Sequence, residues 1–267
     1  LSASAKRTAD WSDRVEETKF DSGRSGVKLD KGYVGHKAAK MMKRSKAIEA
    51  RQHAKIDQRE KLLQNIEGAD RLKIAPLSYH KDRLLELANL AIFYKGQAAC
   101  QNVTFAVDQG ERIALCGKNG SGKSSVIKLI CGEGVDFAGH FRKAGNLVLS
   151  YVPQDASFLR GDPAGFAAAC HIDESLFKAI LRKLDFSRTQ FEKDMADFSA
   201  GQKKKVLIAR SLCERAHLYV WDEPLNFIDV LSRMQIEELL LRYKPTILFS
   251  EHDSAFCANV ATKRVDL

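Results

Sequence analysis

The chain has 267 residues, 45% of them hydrophobic and 29% charged, with a formal net charge of +9 at pH 7. That apolar content is ample for a proper core, yet no stretch approaches the roughly 18 apolar residues a membrane-spanning helix requires. The start, Leu1-Ser2-Ala3-Ser4-Ala5-Lys6-Arg7, has no apolar signal core and no initiator Met, so it is expected to be the internal start of a larger polypeptide.

Charge and composition divide the chain. Residues 1–83 hold about 20 Lys/Arg against about 12 Asp/Glu, the remainder about 23 against 22, and the run from Lys28 to Lys61 is the most basic. Residues 5–20 favour helix, and four glycines between Gly23 and Gly35 interrupt it. From His36 to about Glu67 the residues are strong helix formers without Pro or Gly. Met41, Ile48, Ile56, Leu62, Leu63 and Ile66 form only a thin apolar stripe on a helix about 45 Å long. This pattern predicts a helical hairpin projecting from a globular body.

Beyond Pro76, short apolar strands alternate with amphipathic helices, the pattern of a mixed α/β core. Strands are expected at residues 84–90, 103–107 and 112–116. The last runs into Gly117-Lys118-Asn119-Gly120-Ser121-Gly122-Lys123-Ser124, a full match to G-x-x-x-x-G-K-[ST], followed by a helix from Ser125. Glycines let successive N–H groups curl around a polyphosphate, and the helix N-terminus adds positive potential. Lys123 would reach the β- and γ-phosphates, and the Ser124 hydroxyl would sit on Mg²⁺.

Further along, residues 147–152 are strand-like, and residues 158–198 look helical, especially 175–184 and 188–195. Residues 200–214 and 230–243 read as helices, with short buried strands at 218–221 and 246–250. The strand Leu218-Tyr219-Val220-Trp221 ends in Asp222 and Glu223. Asp222 is placed to hold Mg²⁺ through water, and Glu223 to orient or deprotonate an attacking water. The six cysteines are scattered without C-x-x-C spacing, so buried reduced thiols are expected rather than disulfides or a metal site.

Four more features fit the same plan. Phe198-Ser199-Ala200-Gly201-Gln202 resembles the L-S-G-G-Q signature of ABC-type ATPases; Gln154 matches their Q-loop, His252 their switch histidine, and Tyr94 the aromatic that stacks on adenine. The resemblance implies an α/β fold: a P-loop ABC-type nucleotide-binding domain with a helical subdomain at residues 84–267, preceded by a helical-hairpin linker at residues 1–83. It also implies ATP and Mg²⁺ as cofactors. Glu223, His252 and Gln154 would be catalytic. Tyr94, the loop from Gly117 to Ser125 (with Lys118, Asn119, Gly120, Ser121, Gly122, Lys123 and Ser124), Ser199, Gly201 and Gln202 would contact nucleotide. Ser124, Gln154 and Asp222 would serve the metal. Ser199, Gly201 and Gln202 would complete a second site, on the nucleotide of a partner domain. Two departures are Phe198 for Leu and Ala200 for the first Gly, where an added Cβ would loosen contact with that nucleotide.

Leu225-Asn226-Phe227-Ile228-Asp229 stands where transporters of the family carry S-A-L-D, and the N-x-x-D form is similar to the ABC-F branch. Only 45 positions separate Gln154 from Ser199, a short helical subdomain for gripping a membrane domain. Gly32-Tyr33-Val34-Gly35-His36-Lys37-Ala38-Ala39-Lys40-Met41-Met42 and Gly201-Gln202-Lys203-Lys204-Lys205 look like the antibiotic-resistance members, which protect ribosomes against lincosamides, streptogramin A and pleuromutilins. The resemblance thus implies a cytoplasmic, ribosome-associated bacterial ATPase without a membrane domain. Its linker would reach 23S rRNA and tRNA near the peptidyl-transferase centre. Its first ABC domain would be missing here, since one phosphate loop is present and the family has two. Lys28, Lys31, Tyr33, His36, Lys37, Lys40, Lys43 and Arg44 are the expected RNA contacts. Competing readings are a housekeeping ABC-F translation factor, a transporter's nucleotide-binding subunit, a coiled-coil-split DNA-repair ATPase, and a fragment that binds ATP but scarcely hydrolyses it alone.

Overall fold

In a computed structural model, residues 75–267 are described. The expected hairpin helices and the RNA-contact residues from Lys28 to Arg44 lie outside the described residues.

Two sheets share the body. An antiparallel sheet of order β2-β1-β4 is built from β1 (Arg83–Tyr94), β2 (Gln97–Asp108) and β4 (Asp136–Lys143). A parallel sheet has the order β5-β6-β7-β3-β8, with β3 (Arg112–Cys116), β5 (Leu149–Val152), β6 (Leu218–Asp222), β7 (Ile247–Ser250) and β8 (Lys263–Asp266). The helices are α1 (Lys123–Cys131), α2 (Pro163–Ala169), α3 (Glu174–Lys183), α4 (Ala200–Cys213), α5 (Val230–Tyr243) and α6 (Ser254–Val260). None of the described helices is long and apolar enough to cross a membrane.

Alternation of side chains across the parallel sheet creates two cores. Ile113, Leu115, Leu218, Val220 and Leu248 face the antiparallel sheet and α1. Ala114, Tyr219, Trp221, Ile247 and Phe249 face the opposite way, onto α3–α6. All five residues of β6 are buried, so both cores converge on the strand that ends in Asp222.

The expected strands at 84–90 and 103–107 are longer than their apolar runs. They meet at a tight turn through Lys95 and Gly96, both with positive φ, which suits a two-residue hairpin. β4 escapes sequence reading because this edge strand, Asp-Phe-Ala-Gly-His-Phe-Arg-Lys, is exposed along nearly its whole length and has no buried face to impose alternation. The helical pattern at 188–195 is instead two 3₁₀ turns, Arg188–Glu192 and Met195–Asp197, each started by a side-chain cap. α6 and β8 were also not foreseen. All six cysteines are free, and burial pushes the Cys131 and Cys213 thiols up to about 12.

Candidate nucleotide-binding site

The carboxyl ends of β3, β5, β6 and β7 lie side by side, because these strands are parallel and β6 and β7 separate β5 from β3. Ligands of open α/β sheets bind beyond such ends. A cavity of about 480 Å³ opens there, lined by residues of the glycine-rich turn from Asn119 to Ser125 and by Gln154, Glu223, Asn226 and His252, with Ala99 from β2.

The turn after β3 is shaped to receive an anion. Gly122 adopts a left-handed conformation, and a Cβ there would come within 2.6 Å of the Cys100 Cβ, so only glycine lets the turn pack against β2. Lys123, 5% exposed, folds its ammonium back to donate to the carbonyls of Gly117 (2.8 Å) and Lys118 (3.0 Å). The Ser121 hydroxyl is buried without a hydrogen-bond partner. It does not line the cavity, which the turn reaches through Asn119, Gly120, Gly122 and Lys123 at the N-terminus of α1, a place suited to a phosphate.

Ser124 Oγ donates to Asp222 Oδ1 at 3.2 Å, and Ser250 Oγ donates to the same oxygen at 2.7 Å. Among the described residues no cluster of three or more His, Cys, Asp or Glu side chains is arranged to hold a metal. One hydroxyl and one carboxylate beside a phosphate cradle is a donor set suited to Mg²⁺, which keeps waters and shares phosphate oxygens. The residues present therefore fit both groups.

Glu223 is held on several sides. Its backbone is left-handed (φ 47°), an uncommon conformation that turns the side chain out of the strand direction. Its N–H donates to the Ser250 hydroxyl at 3.0 Å. One carboxylate oxygen accepts from Gln154 Nε2 and from Asn226 Nδ2, each at 2.7 Å. The other lies 3.4 Å from His252 Nε2. Three side chains, from the segments that follow β5, β6 and β7, thus converge on one carboxylate beside the cradle.

Beneath this group Lys204 of α4, 3% exposed, donates to the carbonyls of Pro153 (2.8 Å) and Asp222 (3.2 Å). Burial pulls its ammonium down to about 8, against the opposing pull of Asp222, Glu223, Glu251 and Asp155.

The remaining site residues lie elsewhere. Tyr94 is 44% exposed at the β1–β2 hairpin and does not line the cavity. Ser199 caps α4 in a reciprocal box with Gln202, whose N–H donates to Ser199 Oγ at 3.3 Å while its amide oxygen accepts from the Ser199 N–H at 2.9 Å. Gly201 is where the backbone approach is tight, since a Cβ there would run into the Phe227 carbonyl oxygen. Ala200 is exposed beside a second cavity of about 250 Å³ with Phe198, Lys203 and Phe227. Sequence reasoning missed three participants in the site. Asn226 follows the acid pair by three residues and could have been suspected as a helper; Ser250 and Lys204 carry no local signal.

A family profile described as ABC transporter matches residues 100–226. The zinc import ATP-binding protein ZnuC of Wigglesworthia glossinidia brevipalpis is 30% identical over 166 residues, 60% of this chain and 71% of that protein. The ribosome protection protein VmlR of Bacillus subtilis (strain 168) is 26% identical over 189 residues, 68% of this chain and 34% of that protein. This chain therefore spans about a third of that relative's length. A solved structure titled as the ATP binding subunit of an ABC transporter superposes with a TM-score of 0.59 at 28% identity, covering 69% of this chain and 85% of that one.

Proposed function

Because this chain belongs to the ABC family of ATP-binding domains, with a P-loop α/β fold that takes ATP and Mg²⁺, we propose that it hydrolyses ATP as the second half of an ABC-F protein acting on the ribosome. In this reading residues 84–267 are the ATP-binding domain and residues 1–83 its basic linker. The observation that carries hydrolysis is the fixed Glu223 carboxylate beside the phosphate cradle, gripped by Gln154 and Asn226 with His252 opposite.

The chain's own groups divide the work. Lys123 and the N–H groups of the turn from Gly117 to Ser125 hold the polyphosphate, and Tyr94 offers a face for the base. Ser124, Asp222 and Gln154 are the residues that would hold Mg²⁺, which would supply electrostatic stabilisation of phosphoryl charge. Glu223 orients the attacking water. As the water oxygen bonds to the γ-phosphorus and the bridging oxygen leaves with ADP, Glu223 accepts the water proton. His252, beside the second carboxylate oxygen, steadies the group. Ser199, Gly201 and Gln202 face the nucleotide of a partner ATP-binding domain.

Ribosome binding is supported by the likeness to VmlR, a ribosome protection protein by name, and by the basic run from Lys28 to Arg44. The cellular setting in this reading is the bacterial cytoplasm, with rRNA and tRNA as partners and protection from ribosome-targeting antibiotics as the outcome. A housekeeping translation role uses the same machinery. The ZnuC match, an import ATP-binding protein covered over 71% of its length, favours a second reading as a transporter's ATP-binding subunit.

One experiment separates these. In the full-length protein Glu223→Gln keeps ATP affinity but lowers turnover by roughly a hundredfold or more, and the ATP-loaded variant co-sediments with ribosomes. Turnover at the wild-type rate overturns the role of Glu223. Absence from the ribosome pellet overturns the ribosomal reading and leaves the transporter one.

A further inference from the structure

We propose that Lys204 is a positioning residue for ATP hydrolysis, bracing the two peptide groups that carry Gln154 and Glu223. The inference rests on the reading that those two residues handle the attacking water.

The ammonium reaches the carbonyls of Pro153 and Asp222. Each carbonyl belongs to the peptide unit whose N–H is that of the next residue, Gln154 or Glu223. Planarity of the peptide bond means that pinning the carbonyl also fixes the entry direction of the following residue. The two carbonyls sit at the ends of β5 and β6, neighbours in the sheet with Val152 paired to Trp221. Beyond those ends no further ladder bonds hold the strands together, and Lys204 takes over their role at the point where Gln154 and Glu223 must meet at 2.7 Å.

Burying an ammonium is costly unless its donors are satisfied and negative charge is near. Lys204 places two of its three N–H donors on carbonyls and has Asp222, Glu223, Glu251 and Asp155 around it. Lys205 pairs instead with Asp229 at 2.6 Å, while Lys203 and Lys204 both border the second cavity. Lys204 stands just over one turn into the helix that Ser199 caps, so it ties the segment proposed to face the partner's nucleotide to the hydrolytic pair of this half.

The test uses the full-length protein with Lys204→Met, Lys204→Arg, Gln154→Ala and the Lys204→Met/Gln154→Ala double variant. Lys204→Met is expected to lower kcat by roughly tenfold or more with KM for ATP within about twofold, because a small misplacement of reacting groups costs rate and leaves phosphate binding alone. Lys204→Arg, which can donate to both carbonyls, is expected to recover most of the loss. The double variant falls little below Gln154→Ala alone, since both changes undo one arrangement. Independently of turnover, amide hydrogen exchange speeds up in peptides spanning 150–155 and 220–226 of Lys204→Met, and stays unchanged in β3. If Lys204→Met unfolds, Lys204→Gln, neutral and able to donate to one carbonyl at a time, takes its place with an intermediate loss expected. Wild-type turnover in the Lys204 variants beside an inactive Glu223→Gln, or losses that multiply in the double variant, overturns the inference and leaves the site reading intact. An active Glu223→Gln overturns the site reading instead.

Discussion

Gly201 shows how one atom governs this site. The residue packs under the Phe227 carbonyl, and Phe227 is itself held at φ 65° and is 78% exposed. Gly201→Ala would force either the first turn of α4 or the segment after the acid pair to move. A loss of about 1–3 kcal/mol is expected in urea unfolding, as for overpacked sites, with nucleotide affinity at the phosphate cradle retained. Ala200→Gly, at an exposed position, should change stability by about 1 kcal/mol or less. At this scale the phosphate turn was fully legible, because its glycines and lysine act through backbone geometry local to eight consecutive residues. Ser250 was not: it bonds Asp222 only because the two are paired across β6 and β7. Lys204 was legible only as one of three like charges on a helix, where a solvated face is the ordinary expectation.

Among the elements, α5 illustrates a junction that holds the site from below. Its cap, Asp229, accepts from the Ser232 N–H and hydroxyl, each at 2.9 Å, and pairs with Lys205 of α4. Partial burial alone would raise this carboxyl, but the Lys205 ammonium and the Ser232 donors outweigh it and hold it at about 2. A carboxyl depressed in the folded state adds stability above its ordinary value near 4, and that contribution disappears as pH falls toward 2. Asp229→Ala should therefore cost about 1 kcal/mol at neutral pH, the usual loss for a helix cap. Its deficit relative to wild type should shrink between pH 4 and pH 2, as read by thermal unfolding across that range. The cap itself could be inferred from Asp229 preceding an apolar helix; its ion pair could not, because α4 and α5 are brought together by the sheet. β4 and the 3₁₀ turns were illegible for a different reason: neither has an apolar face of its own to betray a period.

Over the whole molecule, the division of charge carries a prediction that no single contact makes. The excess of cations lies in residues 1–83, while the ATP-binding part is nearly neutral. If the proposed linker meets rRNA phosphates, ribosome affinity falls steeply with salt, with a logarithmic slope of roughly −0.7 to −0.9 per phosphate neutralised. Replacing Lys37, Lys40, Lys43 and Arg44 by Gln should flatten that slope in sedimentation assays, and an unchanged slope would count against these contacts. The amino-acid sequence by itself determined the phosphate cradle, the acid-ended strand and the α/β alternation, because each is written in neighbouring residues and their backbone preferences. Only the tertiary structure decided that Gln154, Asn226 and His252 close on Glu223 and that Lys204 sits beneath them. Those meetings depend on the order of parallel strands, and strand order is set by how two cores bury their apolar faces, a property that no local stretch of residues contains.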